Sequence, residues 1–126
     1  IGCEHGVCGA CSVCVDGRVV RGCLMLATQA DGAIVETIEG VVDSGEVDEL
    51  VDAFVSRNAL QCGFCTPGII LTAAELLEEG EVFERADIRE ELSGNICRCT
   101  GYHSIVDAVE SVLVKNGKKV SDDELA

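Results

Sequence analysis

Leu60-Gln61-Cys62-Gly63-Phe64-Cys65-Thr66-Pro67-Gly68 is the stretch that decides the fold of this 126-residue chain. Two cysteines stand directly before Thr66-Pro67, which reads as a helix start. The threonine hydroxyl caps free N–H groups, and proline at the first helical position loses no hydrogen bond. Upstream, Val47 to Leu60 sets Leu50, Val51, Phe54 and Val55 on one face of an amphipathic helix. Downstream, Ile69, Ile70, Ala73, Leu76 and Leu77 point inward on a second helix that stops at Gly80. A third runs from about Glu84 to Ser93 and ends at Gly94. A fourth begins near Thr100-Gly101, carries Ile105, Val106, Val109, Val112 and Leu113, and ends by Asn116-Gly117. Cys97-x-Cys99 lies between the third and the fourth. The four cysteines therefore fall at one end of a four-helix bundle, where helix N-termini favour negative charge.

Before residues 40–46 the pattern is different. Ser12-Val13-Cys14-Val15, the turn Asp16-Gly17 and Arg18-Val19-Val20-Arg21 read as a hairpin, and Ala33 to Ile38 as another short strand. Ahead of the hairpin stands IGCEHGVCGAC. Its spacing is Cys3-x4-Cys8-x2-Cys11, with Cys23 after a further 11 residues. That is the plant-type [2Fe–2S] spacing. Gly6 and Gly9 let backbone N–H groups approach the sulfurs and stabilise an anionic cluster. Zinc loops pair two short knuckles, whereas this pattern is three plus one. The second quartet, Cys62-x2-Cys65 and Cys97-x-Cys99 with 31 residues between, suits zinc as well as iron by spacing alone.

Nine cysteines do not close a disulfide framework, and Cys97 and Cys99 are too near to bridge comfortably. Thiolates converging on metal, in a reducing, cytoplasmic compartment, are the better reading. Nine basic against 23 acidic residues give a formal charge of −14, which argues against nucleic acid and anionic membranes as partners. No apolar run reaches the ~18 residues of a membrane span. With no Trp, three Phe and one Tyr, the core must be built from Val, Leu, Ile and Ala. Residues 1–43 are expected to form one part, residues 44–117 a helical part, and residues 118–126 a charged, frayed tail.

GCEHGVCGAC, LQCGFCTPG and LSGNICRCTGY, in that order, resemble the iron–sulfur subunit of the molybdenum hydroxylases. That family includes the xanthine and aldehyde oxidases, aerobic carbon monoxide dehydrogenases and related ring hydroxylases. The resemblance implies an α+β chain, an incomplete plant-ferredoxin-like β-grasp part followed by a four-helix [2Fe–2S]-binding bundle. It implies two [2Fe–2S] clusters, one on Cys3, Cys8, Cys11 and Cys23, the other on Cys62, Cys65, Cys97 and Cys99. It also implies molybdopterin on a large subunit, close to Gln61 and Cys99, and FAD on a medium subunit. The implied function is electron transfer within an oxidoreductase, without substrate chemistry in this chain.

Some residues carry further expectations. For Gln61 the alternative to that pterin contact is a helix-end amide bonded to backbone. Cys14, where the family commonly has an aliphatic residue, is expected to act as a small inward-facing hydrophobe, with a ligand role as the alternative. Cys3-x-His5 resembles half of a Rieske site but lacks its second half, so His5 is expected to be a loop residue. His103 is expected at the bundle end or against a partner. The family places a hairpin and a helix, roughly forty residues, before its first cysteine. Here two residues precede Cys3, so a fragment with an exposed first cysteine loop is expected. A free-standing two-cluster ferredoxin and a structural zinc-binding module are the competing readings.

Overall fold

The computed structural model describes residues 1–79 and 84–118. Strand β1 (Ser12–Val15) pairs antiparallel with β2 (Arg18–Arg21), Ser12 opposite Arg21 and Val15 opposite Arg18. Asp16 (φ 50°) and Gly17 (φ 83°) are both left-handed, the two-residue turn whose twist matches that of the strands. The Asp16 carboxylate accepts the Ile34 N–H at 2.9 Å, and the Asp16 N–H donates to the Ile34 carbonyl at 2.9 Å. These bonds bring β3 (Val35–Glu36) to the other side of β1, giving the antiparallel order β2-β1-β3.

The strand expected over Ala33–Ile38 is thus cut to two residues, because Ile38–Asp43 forms a helix, α1. Val41 is 4% exposed and Ile38 packs against the core, with α1 lying on α3. Burial of that face overrides the local β-type pattern, as tertiary packing often does.

Four longer helices follow: α2 (Asp48–Ser56), α3 (Thr66–Glu78), α4 (Arg85–Leu92) and α5 (His103–Lys115). The described residues therefore hold five α-helices rather than four. Leu50, Phe54, Ile69, Leu76, Ile88, Leu92, Ile105, Val109 and Leu113 form the shared core. Burying a side chain such as Phe54 contributes about 1.5–3 kcal/mol. Val55, expected inward, is 65% exposed; α2 buries Leu50, Ala53 and Phe54 instead. Arg85, buried at the start of α4, ties that helix to α5 through Asp107 (2.6 Å) and Glu110 (3.1 Å).

Two helix starts also differ from expectation. Cys65, not Thr66, is the N-cap of α3, and no side-chain hydrogen bond caps that helix. The Thr66 hydroxyl lies beside the Cys65 thiol instead. Helix α5 starts at His103, later than Thr100-Gly101, because Tyr102 is held left-handed (φ 72°) by bonds described below. The expected stop at Gly80 and residues 119–126 of the expected tail lie outside the described residues. Among those described, no helix is long and apolar enough to cross a membrane.

Candidate metal centres

The first centre is a loop wrapped around sulfur. The Cys3 Sγ accepts N–H groups from His5 (3.4 Å), Val7 (3.3 Å) and Cys8 (3.3 Å). The Cys8 Sγ accepts those of Cys3 and Ala10, both at 3.4 Å, and the Cys11 Sγ that of Cys23 at 3.4 Å. The thiols meet in two pairs, Cys3 with Cys8 and Cys11 with Cys23. A cleft of about 250 Å³, lined by Ile1, Gly2, Glu4, Cys8, Cys11 and Cys23, opens beside them.

The second centre forms where the α2–α3 and α4–α5 connections meet. Cys62 and Cys99 lie with their sulfurs 3.6 Å apart, and Cys65 touches Cys97. The Phe64 N–H points at the Cys62 Sγ (3.5 Å), and the Thr100 hydroxyl lies 3.1 Å from the Cys97 Sγ. Cys62 and Cys99 are exposed, while Cys65 and Cys97 are half-buried, so this site has an outer and an inner pair. Gln61 sits at the outer pair and donates from Nε2 to the Cys99 carbonyl at 3.2 Å. Tyr102 braces the inner one. Its hydroxyl accepts the Cys97 N–H (2.7 Å) and donates to the Asn95 carbonyl (3.0 Å).

This pairing is the test of fit. One tetrahedral ion with Metal–S bonds of about 2.3 Å holds its four sulfurs mutually within about 4 Å. Among the described residues, no three His, Cys, Asp or Glu side chains converge in that way. Two irons sharing four thiolates take them two by two. Both quartets are divided so, with N–H groups aimed at the sulfurs, and they fit [2Fe–2S] clusters better than zinc.

The fold also tunes the thiols. N–H groups of His5 and then Cys8 lower the Cys3 pKa to about 6, whereas burial and then the Cys97 thiol raise that of Cys65 to about 11. For Cys11, burial opposes ionisation, but hydrogen bonds from the Cys23 N–H and thiol outweigh it and lower the pKa. For Cys97, burial is likewise outweighed, here by the Thr100 hydroxyl and N–H. In iron-free chain the thiolate fraction of Cys3 therefore grows as pH rises through about 6, while Cys65 stays protonated. Iodoacetamide at pH 7, followed by peptide mass spectrometry, is expected to label Cys3 well ahead of Cys65. Equal labelling would contradict this.

The remaining expected residues fall as follows. Cys14 lines a separate cleft with Val19, Val41, Leu71 and Glu75, and burial, then Glu36, raise its pKa. His5 donates from Nδ1 to the Cys3 carbonyl (2.8 Å) within the loop. His103 is 77% exposed and lies 3.6 Å from Asp107. Residues outside the expected set link the two centres. The Ile96 N–H donates to the Cys8 carbonyl at 2.8 Å. Arg21 donates from Nη2 to the Gly94 carbonyl (2.7 Å) and from Nη1 to the Ser12 hydroxyl (2.9 Å). Asn95 and Tyr102 carry a sequence signal, since both lie within LSGNICRCTGY; Arg21 carries none beyond its place at a strand end.

Two thiol quartets, one with three thiols before the hairpin and Cys23 just after it, the other among helices, define an iron–sulfur protein. A family profile described as "[2Fe-2S] binding domain" matches residues 37–110. The chain is 52% identical over 109 residues to the nicotine 6-hydroxylase small subunit of Paenarthrobacter nicotinovorans, 86% of this chain and 66% of that protein. It thus spans about two thirds of that relative's length. Quinoline 2-oxidoreductase from Pseudomonas putida 86 superposes with a TM-score of 0.76 at 43% identity, over 94% of this chain and 75% of that one. Aldehyde oxidoreductase from Desulfovibrio gigas does so with 0.80 at 47%, over 94% of this chain and 14% of that one. The chain belongs to the family of small iron–sulfur subunits of the molybdenum hydroxylases.

Proposed function

We propose that this chain is the electron-transfer component of a molybdenum hydroxylase, with two [2Fe–2S] clusters and no substrate chemistry of its own. One cluster is assigned to Cys3, Cys8, Cys11 and Cys23, the other to Cys62, Cys65, Cys97 and Cys99. Molybdopterin is assigned to a large partner subunit and FAD to a medium one, in the cytoplasm. The expected division at residues 43 and 44 is moved to residues 37 and 38, because α1 (Ile38–Asp43) belongs with the helical part whose core contains Val41.

The carrying observation is the 2.8 Å bond from the Ile96 N–H to the Cys8 carbonyl. It joins a ligand candidate of one centre to the residue before a ligand candidate of the other. Each bound cluster supplies one-electron redox chemistry. The chain's own groups do the rest. N–H groups around Cys3 and Cys8 stabilise negative charge on sulfur, and Thr100 does the same at Cys97. The half-buried pair Cys65 and Cys97 faces the interior, while Gln61, Cys62 and Cys99 face outward. That polarity supports docking of the pterin subunit at Gln61 and Cys99, with electrons leaving inward toward Cys8.

Iron, zinc and acid-labile sulfide per chain, with EPR after reduction, test this. About four iron and four sulfide with two distinct signals are expected. Stoichiometric zinc without iron, in protein purified anaerobically from iron-replete cells, would sink the reading. Co-elution with the large and medium subunits on size exclusion separates a subunit from a free ferredoxin.

A further inference from the structure

Asn95 is a polar side chain in an apolar core, 1% exposed, and its surroundings reach both centres. Its Nδ2 donates to the Thr72 hydroxyl at 2.9 Å, which donates in turn to the Gly68 carbonyl at 3.0 Å. Its Oδ1 has no hydrogen-bond partner. That oxygen lies against two glycines: a Cβ on Gly9 would fall 2.4 Å from it and one on Gly68 2.9 Å. Gly9 stands between Cys8 and Cys11, and Gly68 three residues after Cys65. One residue from each of the three diagnostic motifs, GVCGAC, CTPG and GNICRC, thus meets at one point.

The backbone around Asn95 completes the link. Its carbonyl is bonded to the Tyr102 hydroxyl, which holds the Cys97 N–H. Ile96, the next residue, donates to the Cys8 carbonyl, and Gly94, the preceding one, accepts from Arg21. A buried oxygen without a donor is unfavourable. That cost offsets the amide's one hydrogen bond, to Thr72, so hydrogen bonding gives little net reason for an amide here. Geometry does, because the amide packs so closely on two glycines that neither has room for a Cβ beside it.

We propose that Asn95 is a positioning residue for electron transfer between the two centres, its amide, anchored to Thr72, packing against Gly9 and so keeping the Cys8 loop seated on the Ile96–Cys97 segment. The inference rests on the electron-transfer reading above. Loosening that contact lengthens the route at the Cys8–Ile96 hydrogen bond while leaving all eight ligand candidates in place.

The test uses the chain assembled with its partner subunits. Iron and sulfide are counted, the spin–spin splitting between the reduced clusters is read by EPR, and freeze-quench EPR follows the two clusters in turn after substrate addition. Asn95→Ala is expected to keep about four irons and both signals. The splitting should shrink and the intercluster step slow several-fold, since both fall as the centres move apart. Reduction of the helical-domain cluster should keep its wild-type rate. Thr72→Val should act in the same direction more weakly, and Thr72→Ser, which restores the hydroxyl, should return wild-type values. If Asn95→Ala does not assemble, the Thr72 pair decides alone. Unchanged splitting and rate in variants that hold both clusters overturn the inference and leave the electron-transfer reading standing. A wild-type complex that takes up no iron overturns both.

Discussion

Cys65→Ser is expected to lower iron from about four to about two per chain and to abolish electron flow from the molybdenum subunit. Cys65 pairs with Cys97 on the half-buried side of the helical site. Without it, that side keeps one thiol, and a serine hydroxyl ionises too reluctantly to replace a thiolate. The EPR signal of the helical-domain cluster should vanish, while dithionite still reduces the other cluster through its own thiols. Substrate turnover, by contrast, should no longer reduce it. Cys14→Ser is the control: Cys14 faces a separate cleft lined by Val41 and Leu71, so iron should stay at about four. Full iron content in Cys65→Ser, or a loss of about two irons in Cys14→Ser, would overturn the ligand assignment.

Gly68→Ala should cost about 3 kcal/mol or more, the upper range of overpacking. An added Cβ would fall 2.5 Å from the Gly9 carbonyl oxygen and 2.9 Å from the Asn95 Oδ1. Gly9 is itself confined, since its own Cβ would fall 2.7 Å from the Gly94 carbonyl. Nothing flexible is available to move aside, because the obstacle is backbone. The sign is diagnostic. At a helical glycine in open space, alanine stabilises by about 0.5–1 kcal/mol. Gly40, in α1, has nothing within 4 Å of its Cβ position and serves as that comparison. Denaturant melts of the two iron-loaded variants should therefore move in opposite directions. A Gly68→Ala protein as stable as Gly40→Ala would mean the two cysteine loops are not locked together there.

The cleanest match between sequence and structure is the hairpin. Ser12–Val15, the Asp16-Gly17 turn and Arg18–Arg21 stand where alternation and turn chemistry put them. Helices α2 to α5 lie where the 3.6-residue period placed them, with ends differing by a few residues. Helix α1 was not legible. Of its residues only Ile38 was assigned, to the strand expected over Ala33–Ile38, and the burial of Val41 that favours a helix is contributed by α3. The exposure of Val55 was hidden for a similar reason: periodicity shows a face, but neighbours decide how wide the buried stripe becomes.

By itself the sequence singled out the residues proposed to carry the chemistry: eight cysteines in two spacings, set in three motifs found in one family. Spacing, turns and periodicity act over a turn or two of chain, so they can be read locally. Only the tertiary structure decided how those cysteines divide. The contact of Cys62 with Cys99 spans 37 positions, and the bond from Arg21 to the Gly94 carbonyl spans 73. Such contacts follow from how helices and sheet pack, and no local pattern encodes them. The meeting of Gly9, Gly68 and Asn95 is of the same kind, since a side chain's absence has meaning only once its neighbour is in place.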